Sequence, residues 1–298
     1  MEKSIVRVPA TTANLGPGFD CLGIALDIFN ELTVAQTHSL NIIVQGEGTG
    51  QISLRQDNLV YRAIATVFAK LGKPVPELSL NCLNRIPLAR GLGSSAAAVA
   101  GGLVAANELL GKPLSSDELL QLGAGMEGHA DNIAPALFGG CQLVYREEDR
   151  YHHVPVPLPK GLTAVLFIPD FAMSTAKARN ILPPKVSRAD AVFNIGRVSL
   201  LTLAMSTGKL EYLKIATQDR LHQPARQSMF PAMENIFKAA LEAGALGAFL
   251  SGAGSTILAF TEGESLSGEI GKAMQDAATK AGVNGRVQVA RPSAQGTH

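Results

Sequence analysis

Tryptophan is absent from this chain of 298 residues, and all aromatic residues together make up 5%. A surface that stacks nucleobases on aromatic platforms is therefore not expected. Charge is scarce as well: 17% of residues are charged, with a formal balance of +1. So few charges argue against a disordered, solvated chain, and so even a balance leaves no electrostatic footprint for nucleic acid or an acidic membrane surface. Cysteine is limited to Cys21, Cys82 and Cys141. These are far apart and odd in number, and they form neither a Cys-x-x-Cys pair nor a disulfide set, which fits a reducing compartment. No apolar run reaches the roughly 18–20 residues of a membrane span, and the first residues lack a signal-peptide core, so the expected location is the cytoplasm. No Gly-x-x-x-x-Gly-Lys-Ser/Thr string occurs, which removes the Walker A loop.

Hydrophobic residues make up 46% of the chain, enough for one large core or two ordinary ones. The stretch around which the rest is organised is Pro87-Leu88-Ala89-Arg90-Gly91-Leu92-Gly93-Ser94-Ser95-Ala96-Ala97-Ala98. Pro87 ends a strand, because it has no N–H and disfavours helix at Ile86. Gly91 and Gly93 permit backbone angles that other residues resist, and Ser94 and Ser95 are good helix caps. From Ala96 to Leu110 the chain is almost entirely small or apolar, which predicts a buried helix fed by a glycine loop. Free N–H groups and the positive end of a helix dipole then await a phosphate. Gly91-x-Gly93-x-x-Ala96 also matches a dinucleotide fingerprint, but that reading needs an acid at the end of the next strand. The nearest candidate, Glu108, lies inside the helix pattern. An unliganded tight turn would explain any one of these features, but less readily their coincidence.

The string Pro-x-x-x-Gly-Leu-Gly-Ser-Ser-Ala closely resembles the phosphate-binding signature of the GHMP kinases. Three further strings resemble the branch of that family acting on L-homoserine, and together they span most of the chain. The first is Pro9-Ala10-Thr11-Thr12-Ala13-Asn14-Leu15-Gly16-Pro17-Gly18-Phe19-Asp20, read here as an irregular binding loop. The resemblance implies that Asn14 and Asp20 hold the substrate, and a carboxylate such as Asp20 suits an ammonium group. The second is His129-Ala130-Asp131-Asn132-Ile133-Ala134-Pro135. Here the resemblance implies His129 near the substrate and Asn132 on its hydroxyl, ahead of Asp131, since a loose phosphoryl-transfer transition state needs no strong base. Glu127, with Ser95, is the candidate Mg²⁺ ligand; some relatives place the metal glutamate further upstream, where this chain has Gln121. The third comprises Thr175 and Arg179, followed by Asp219-Arg220-Leu221-His222-Gln223-Pro224-Ala225-Arg226. Arg179 and Arg226 would clamp a carboxylate with their planar forks.

The remaining pattern is α+β. A helix is expected over 59–71, where Leu59, Val60, Ala63, Ile64, Val67, Phe68 and Leu71 share a face behind Asp57-Asn58. Ser115 and Glu118 form a capping box for the next helix. Pro155, Pro157 and Pro159 mark a boundary near Lys160, giving domains 1–160 and 161–298. The second half reads β-α-α-α-β-β-α-β, with a glycine turn Ser251-Gly252-Ala253-Gly254-Ser255 that resembles a third family motif, and a tail from Pro292 expected to be disordered. The resemblance implies the two-domain GHMP kinase fold, with an N-terminal domain like the second domain of ribosomal protein S5 and a C-terminal ferredoxin-like domain. It also implies ATP and Mg²⁺ as cofactors and L-homoserine as a small-molecule substrate, in threonine biosynthesis. A mevalonate-type kinase and a non-catalytic nucleotide sensor of the same fold are the rivals. The sequence does not fix the oligomeric state, and a homodimer is compatible with it.

Overall fold

The computed structural model describes residues 3–298. Its first sheet is built around one strand. Strand β1 (Lys3–Asn14) pairs antiparallel with β2 (Gly18–Gln36) along almost its whole length. The register shifts after Pro9, which has no N–H to give to a ladder. The expected loop over 9–20 is therefore mostly strand, and the breakers Gly16 and Pro17 confine the turn to the three residues between β1 and β2. β3 (Asn41–Gly46) lies parallel to β4 (Leu78–Asn84), and β4 joins the later half of β2. β5 (Cys141–Glu147) joins the earlier half of β2 and carries β6 (Arg150–Val156) on its other edge.

Helices cover one face of this sheet. α1 (Leu59–Lys70) begins at Asn58, whose side chain accepts from the Val60 and Tyr61 amides. α2 (Ser94–Leu109) buries residues around most of its circumference, as a helix apolar on all sides must. Its Gly102 lets α1 come close: a Cβ there would sit 2.6 Å from the Val60 carbonyl oxygen. α3 (Ser116–Glu127) starts with the expected capping box, and the short α4 (Ile133–Phe138) follows.

The second sheet holds β7 (Leu162–Pro169), β8 (Gly247–Leu250), β9 (Ile257–Glu262) and β10 (Gly285–Ala290) in the order β10-β7-β9-β8, all antiparallel. This is the ferredoxin-like arrangement. Between β7 and β8 run α5 (Thr175–Asn180), α6 (Arg188–Thr207), α7 (Leu213–Ala216), α8 (Gln223–Arg226) and α9 (Met233–Glu242), and α10 (Ser267–Lys280) precedes β10. Met233, Ile236 and Ala240 of α9 pack with Phe167, Phe230 and Met274 in a core of their own.

The tail is not disordered. Its backbone runs along the first lobe: Ser293 N–H donates to Ala25 O at 2.8 Å, Thr297 N–H to Ala136 O at 2.8 Å, and Arg7 and His298 exchange two backbone bonds. Its side chains show no hydrophobic period because main-chain groups do the bonding.

Candidate active site

The two lobes meet at a cleft whose floor is the residue 87–98 loop. Gly93, at φ +69°, is the N-cap of α2, so the helix starts at Ser94 rather than being capped by the serines. No side chain caps this helix, and the amides of Ser94, Ser95 and Ala96 donate to no acceptor among the described residues. Three N–H groups and the dipole therefore face open space. Gly91, at φ +75°, lies so near the second glycine turn that a Cβ would sit 2.0 Å from Ser251 O.

The loop is tied to the second lobe at several points. Ser251 Oγ donates to Gly91 O at 2.6 Å, Thr256 N–H to Arg90 O at 3.0 Å, and Met173 N–H to Ala89 O at 3.0 Å. The Arg90 guanidinium donates to the carbonyls of Leu88, Pro169 and Asp170, so it is occupied as a staple. Pro87 and Leu92 are buried beneath the loop, and Leu88 lies outside the cleft. Ala97 and Ala98 line a neighbouring groove with Leu32, Val44, Ile52 and Val60, and this groove meets the cleft at Ser94 and Ser95. Sequence reasoning missed the groove because its strand residues read as ordinary core.

At the mouth of α2, Ser95 Oγ donates to Glu127 Oε1 at 2.5 Å. Two hard oxygens thus stand together beside the free amides. Gln121 is engaged elsewhere: its amide exchanges two bonds with the Tyr151 backbone. No cluster of three or more His, Cys, Asp or Glu side chains suited to a metal occurs among the described residues.

The turn between α3 and α4 brings in the next group. His129 Nδ1–H donates to Asp131 Oδ1 at 2.5 Å, and Asn132 Nδ2–H donates to the same oxygen at 3.2 Å. Asn132 Oδ1 accepts from Thr11 Oγ1 at 2.8 Å. Thr11 lies in the string read from the sequence as a binding loop but was not itself singled out, because its pairing with Asn132, 121 positions away, leaves no local mark. Burial opposes the charged form of His129, but the bond and charge of Asp131, with Glu127 adding, outweigh it and raise the histidine pKa above its ordinary value.

The cleft also holds a group of charged side chains. Asp20 and Arg179 form a two-armed ion pair at 2.7 and 2.9 Å. This bond raises the Arg179 pKa further. Thr175 opens α5 one turn before Arg179 and lines the same cleft. Asn14 braces the turn, accepting from Asp20 N–H at 3.0 Å and donating to Gly252 O at 3.0 Å. Arg226 is 1% exposed. Its Nε–H donates to Ala178 O at 3.3 Å, and its Nη1 reaches both Gly252 O and His222 Nδ1 at 2.9 Å. The Nη2 hydrogens have no acceptor among the described residues, and the residue lines the cleft. Burial, then the nearby Arg179 charge, pushes its pKa down to about 10, so it stays protonated at neutral pH.

Family models agree with this architecture. The GHMP kinases N terminal domain matches residues 58–140, and the GHMP kinases C terminal domain matches residues 205–280. The chain belongs to the GHMP kinases. It is 47% identical over 292 residues to the homoserine kinase of Moorella thermoacetica, covering 98% of each chain. It is 44% identical over 295 residues to that of Thermosynechococcus vestitus, covering 99% of this chain and 98% of the other. The crystal structure of homoserine kinase from Cytophaga hutchinsonii superposes with a TM-score of 0.90 at 31% identity, covering 100% of this chain and 97% of that one. A mevalonate kinase from L. major shares the fold, with a TM-score of 0.74 at 19% identity.

Proposed function

We propose that the chain transfers the γ-phosphoryl group of ATP to the side-chain hydroxyl of L-homoserine, giving O-phospho-L-homoserine for threonine biosynthesis. Near-full-length identity to homoserine kinases supports this. The observation that carries it at the level of chemistry is the polarity of the cleft. The same cleft offers uncapped amides together with Asp20, Arg179 and the free Nη2 of Arg226. Without substrate, Asp20 and Arg179 neutralise each other. An amino-acid zwitterion supplies both opposite charges, so opening the pair leaves neither side chain alone. An acceptor with a carboxylate but no amine would strand Asp20.

In this reading the amides at Gly91 to Ala96 hold the triphosphate, and the groove beside Ala97 and Ala98 takes the nucleoside end. Asp20 receives the ammonium, Arg179 and Arg226 the carboxylate, and Thr175 and His129 wall the substrate. Asn132, fixed by Thr11 and Asp131, turns the hydroxyl toward the phosphorus. Positioning of this kind is most of what phosphoryl transfer asks of a protein.

Ser95 and Glu127 fit Mg²⁺, a hard cation that takes one or two carboxylates and completes its shell with phosphate oxygens and water. When bound, the ion would neutralise charge on the phosphate oxygens. Glu127→Gln is expected to raise the Mg²⁺ concentration giving half-maximal rate by about 10-fold or more, corresponding to one lost charge-assisted contact. A titration of rate against Mg²⁺ that matches the unaltered protein would remove Glu127 from this role. The three thiols are unpaired, in keeping with a cytoplasmic setting, and no helix among the described residues is long and apolar enough to cross a membrane.

The assay that tests the proposal is ADP release with L-homoserine, mevalonate and shikimate offered in turn. Turnover with homoserine alone is expected. Turnover of mevalonate without homoserine, or ATP binding with no acceptor used, would end the reading.

A further inference from the structure

The buried face behind Arg226 contains a histidine with two defined bonds. His222 is fully buried at the start of α8. Its Nε2 lies 2.8 Å from Gly16 O, and its Nδ1 lies 2.9 Å from Arg226 Nη1. A carbonyl oxygen can only accept, so Nε2 carries the proton. A guanidinium can only donate, so Nδ1 must be bare. The two neighbours together allow a single form of the ring, the neutral Nε2–H tautomer.

The surroundings hold the ring in that form. Asp219, whose side chain is also fully buried, is 3.6 Å from Nε2. Its oxygens are taken by the amides of Leu221, His222 and Gln223 and by Asn194 Nδ2. Phe19 stacks on the imidazole at 5.3 Å, and its ring also lies under the guanidiniums of Arg179 and Arg226, at 5.6 and 5.5 Å. The charged groups near His222 are thus Asp219, Arg226 and, across Phe19, Arg179 and Asp20. Burial, with Arg226 adding, outweighs Asp219 and pushes the imidazole pKa down to about 4.

We propose that His222 is a positioning residue for substrate binding: its bare Nδ1 takes one Nη1 hydrogen of Arg226 and so turns the free Nη2 edge into the cleft for the substrate carboxylate. Gly252 O holds the other Nη1 hydrogen and Ala178 O holds Nε–H, so the fork is fixed at three points and open at one. Without the acceptor on His222, the guanidinium can swing about its remaining bonds, and the carboxylate meets a mobile partner. The inference rests on the homoserine reading of the cleft.

Two variants separate positioning from mere packing. Asparagine at 222 can place an oxygen near the Nδ1 position, keeping the acceptor for Arg226 while losing the bond to Gly16. Glutamine reaches the Nε2 position, keeping a donor for Gly16 while losing the acceptor. Steady-state kinetics with each substrate varied, together with thermal melting, would be measured for both. His222→Gln is expected to raise the KM for L-homoserine about 10-fold or more. Its KM for ATP should hold, and kcat should change little. His222→Asn should keep the homoserine KM within about 3-fold, even where its melting temperature falls as far. Equal KM values in the two variants, or a 10-fold rise in the Asn variant alone, would overturn the proposal. Should the Gln variant be too unstable to assay, the unchanged KM of the Asn variant is still required. Absence of homoserine turnover in the unaltered protein would instead remove the reading beneath it.

Discussion

Arg226→Ala should raise the KM for L-homoserine by about 100-fold, the upper range for losing hydrogen bonds to a charged group, while the KM for ATP changes little. The proposed division of labour makes the effect one-sided. Arg226 turns its free Nη2 into the cleft beside Asp20 and Arg179, while the amides proposed for the triphosphate are backbone groups it does not bond. Stability should fall as well, because Ala178 O, Gly252 O and His222 Nδ1 each lose a buried donor. Arg226→Lys tests the guanidinium itself. A lysine keeps the charge, but one compact ammonium cannot replace the donors to Ala178 O, Gly252 O and His222 Nδ1 and still present one to the cleft, so most of the KM defect should remain. Both variants would be compared with substrates varied separately. A rise of equal size in the two KM values would contradict a carboxylate clamp.

Gly91→Ala should all but abolish ATP binding. Two effects add at this position. A side chain at φ +75° costs about 1–2 kcal/mol in the left-handed region. The new Cβ would also sit 2.0 Å from Ser251 O, which is backbone. That carbonyl belongs to the second glycine turn, which is held by Ser251 N–H to Thr256 O and Gly252 N–H to Ala13 O, so the loop must move instead. Gly50 provides the control. It has φ +77°, and a Cβ there would meet nothing within 4 Å, so Gly50→Ala carries the backbone strain without the collision. Calorimetric titration with ATP should show near-normal affinity for the Gly50 variant and little or none for the Gly91 variant. Unchanged affinity in both would mean that the loop is not the cradle.

The glycine loop over residues 87–98 and the helix it feeds were legible because they concentrate residues with narrow backbone meanings. Pro87, the two glycines, the two serines and the alanine run each limit the chain in the same direction. The helix start was displaced by one or two residues, since Gly93 in its left-handed conformation does without a side-chain cap and leaves the amides free. The capping box at Ser115 and the apolar stripe of α1 were equally plain, because both are local. What failed to show was non-local or main-chain in origin. Asp20 and Arg179 are 159 positions apart, and nothing in either neighbourhood marks the other as its partner. The strand through Ala10, Thr11 and Thr12 was hidden by the breakers that follow it, although β2 supplies its ladder. The docked tail has small and polar side chains, and its bonds come from peptide groups that every sequence possesses.

The staple formed by Arg90 and the bonds from Met173, Ser251 and Thr256 mean that the loop has no single owner. Much of its anchorage comes from chain that lies beyond the first sheet altogether. Cutting the polypeptide between the sheets would therefore not yield a portable nucleotide module, because the fragment would keep the glycines and lose the carbonyls and amides that shape them. For the same reason, a ligand seated on the loop restrains residues it never touches, and its grip is shared with the whole molecule.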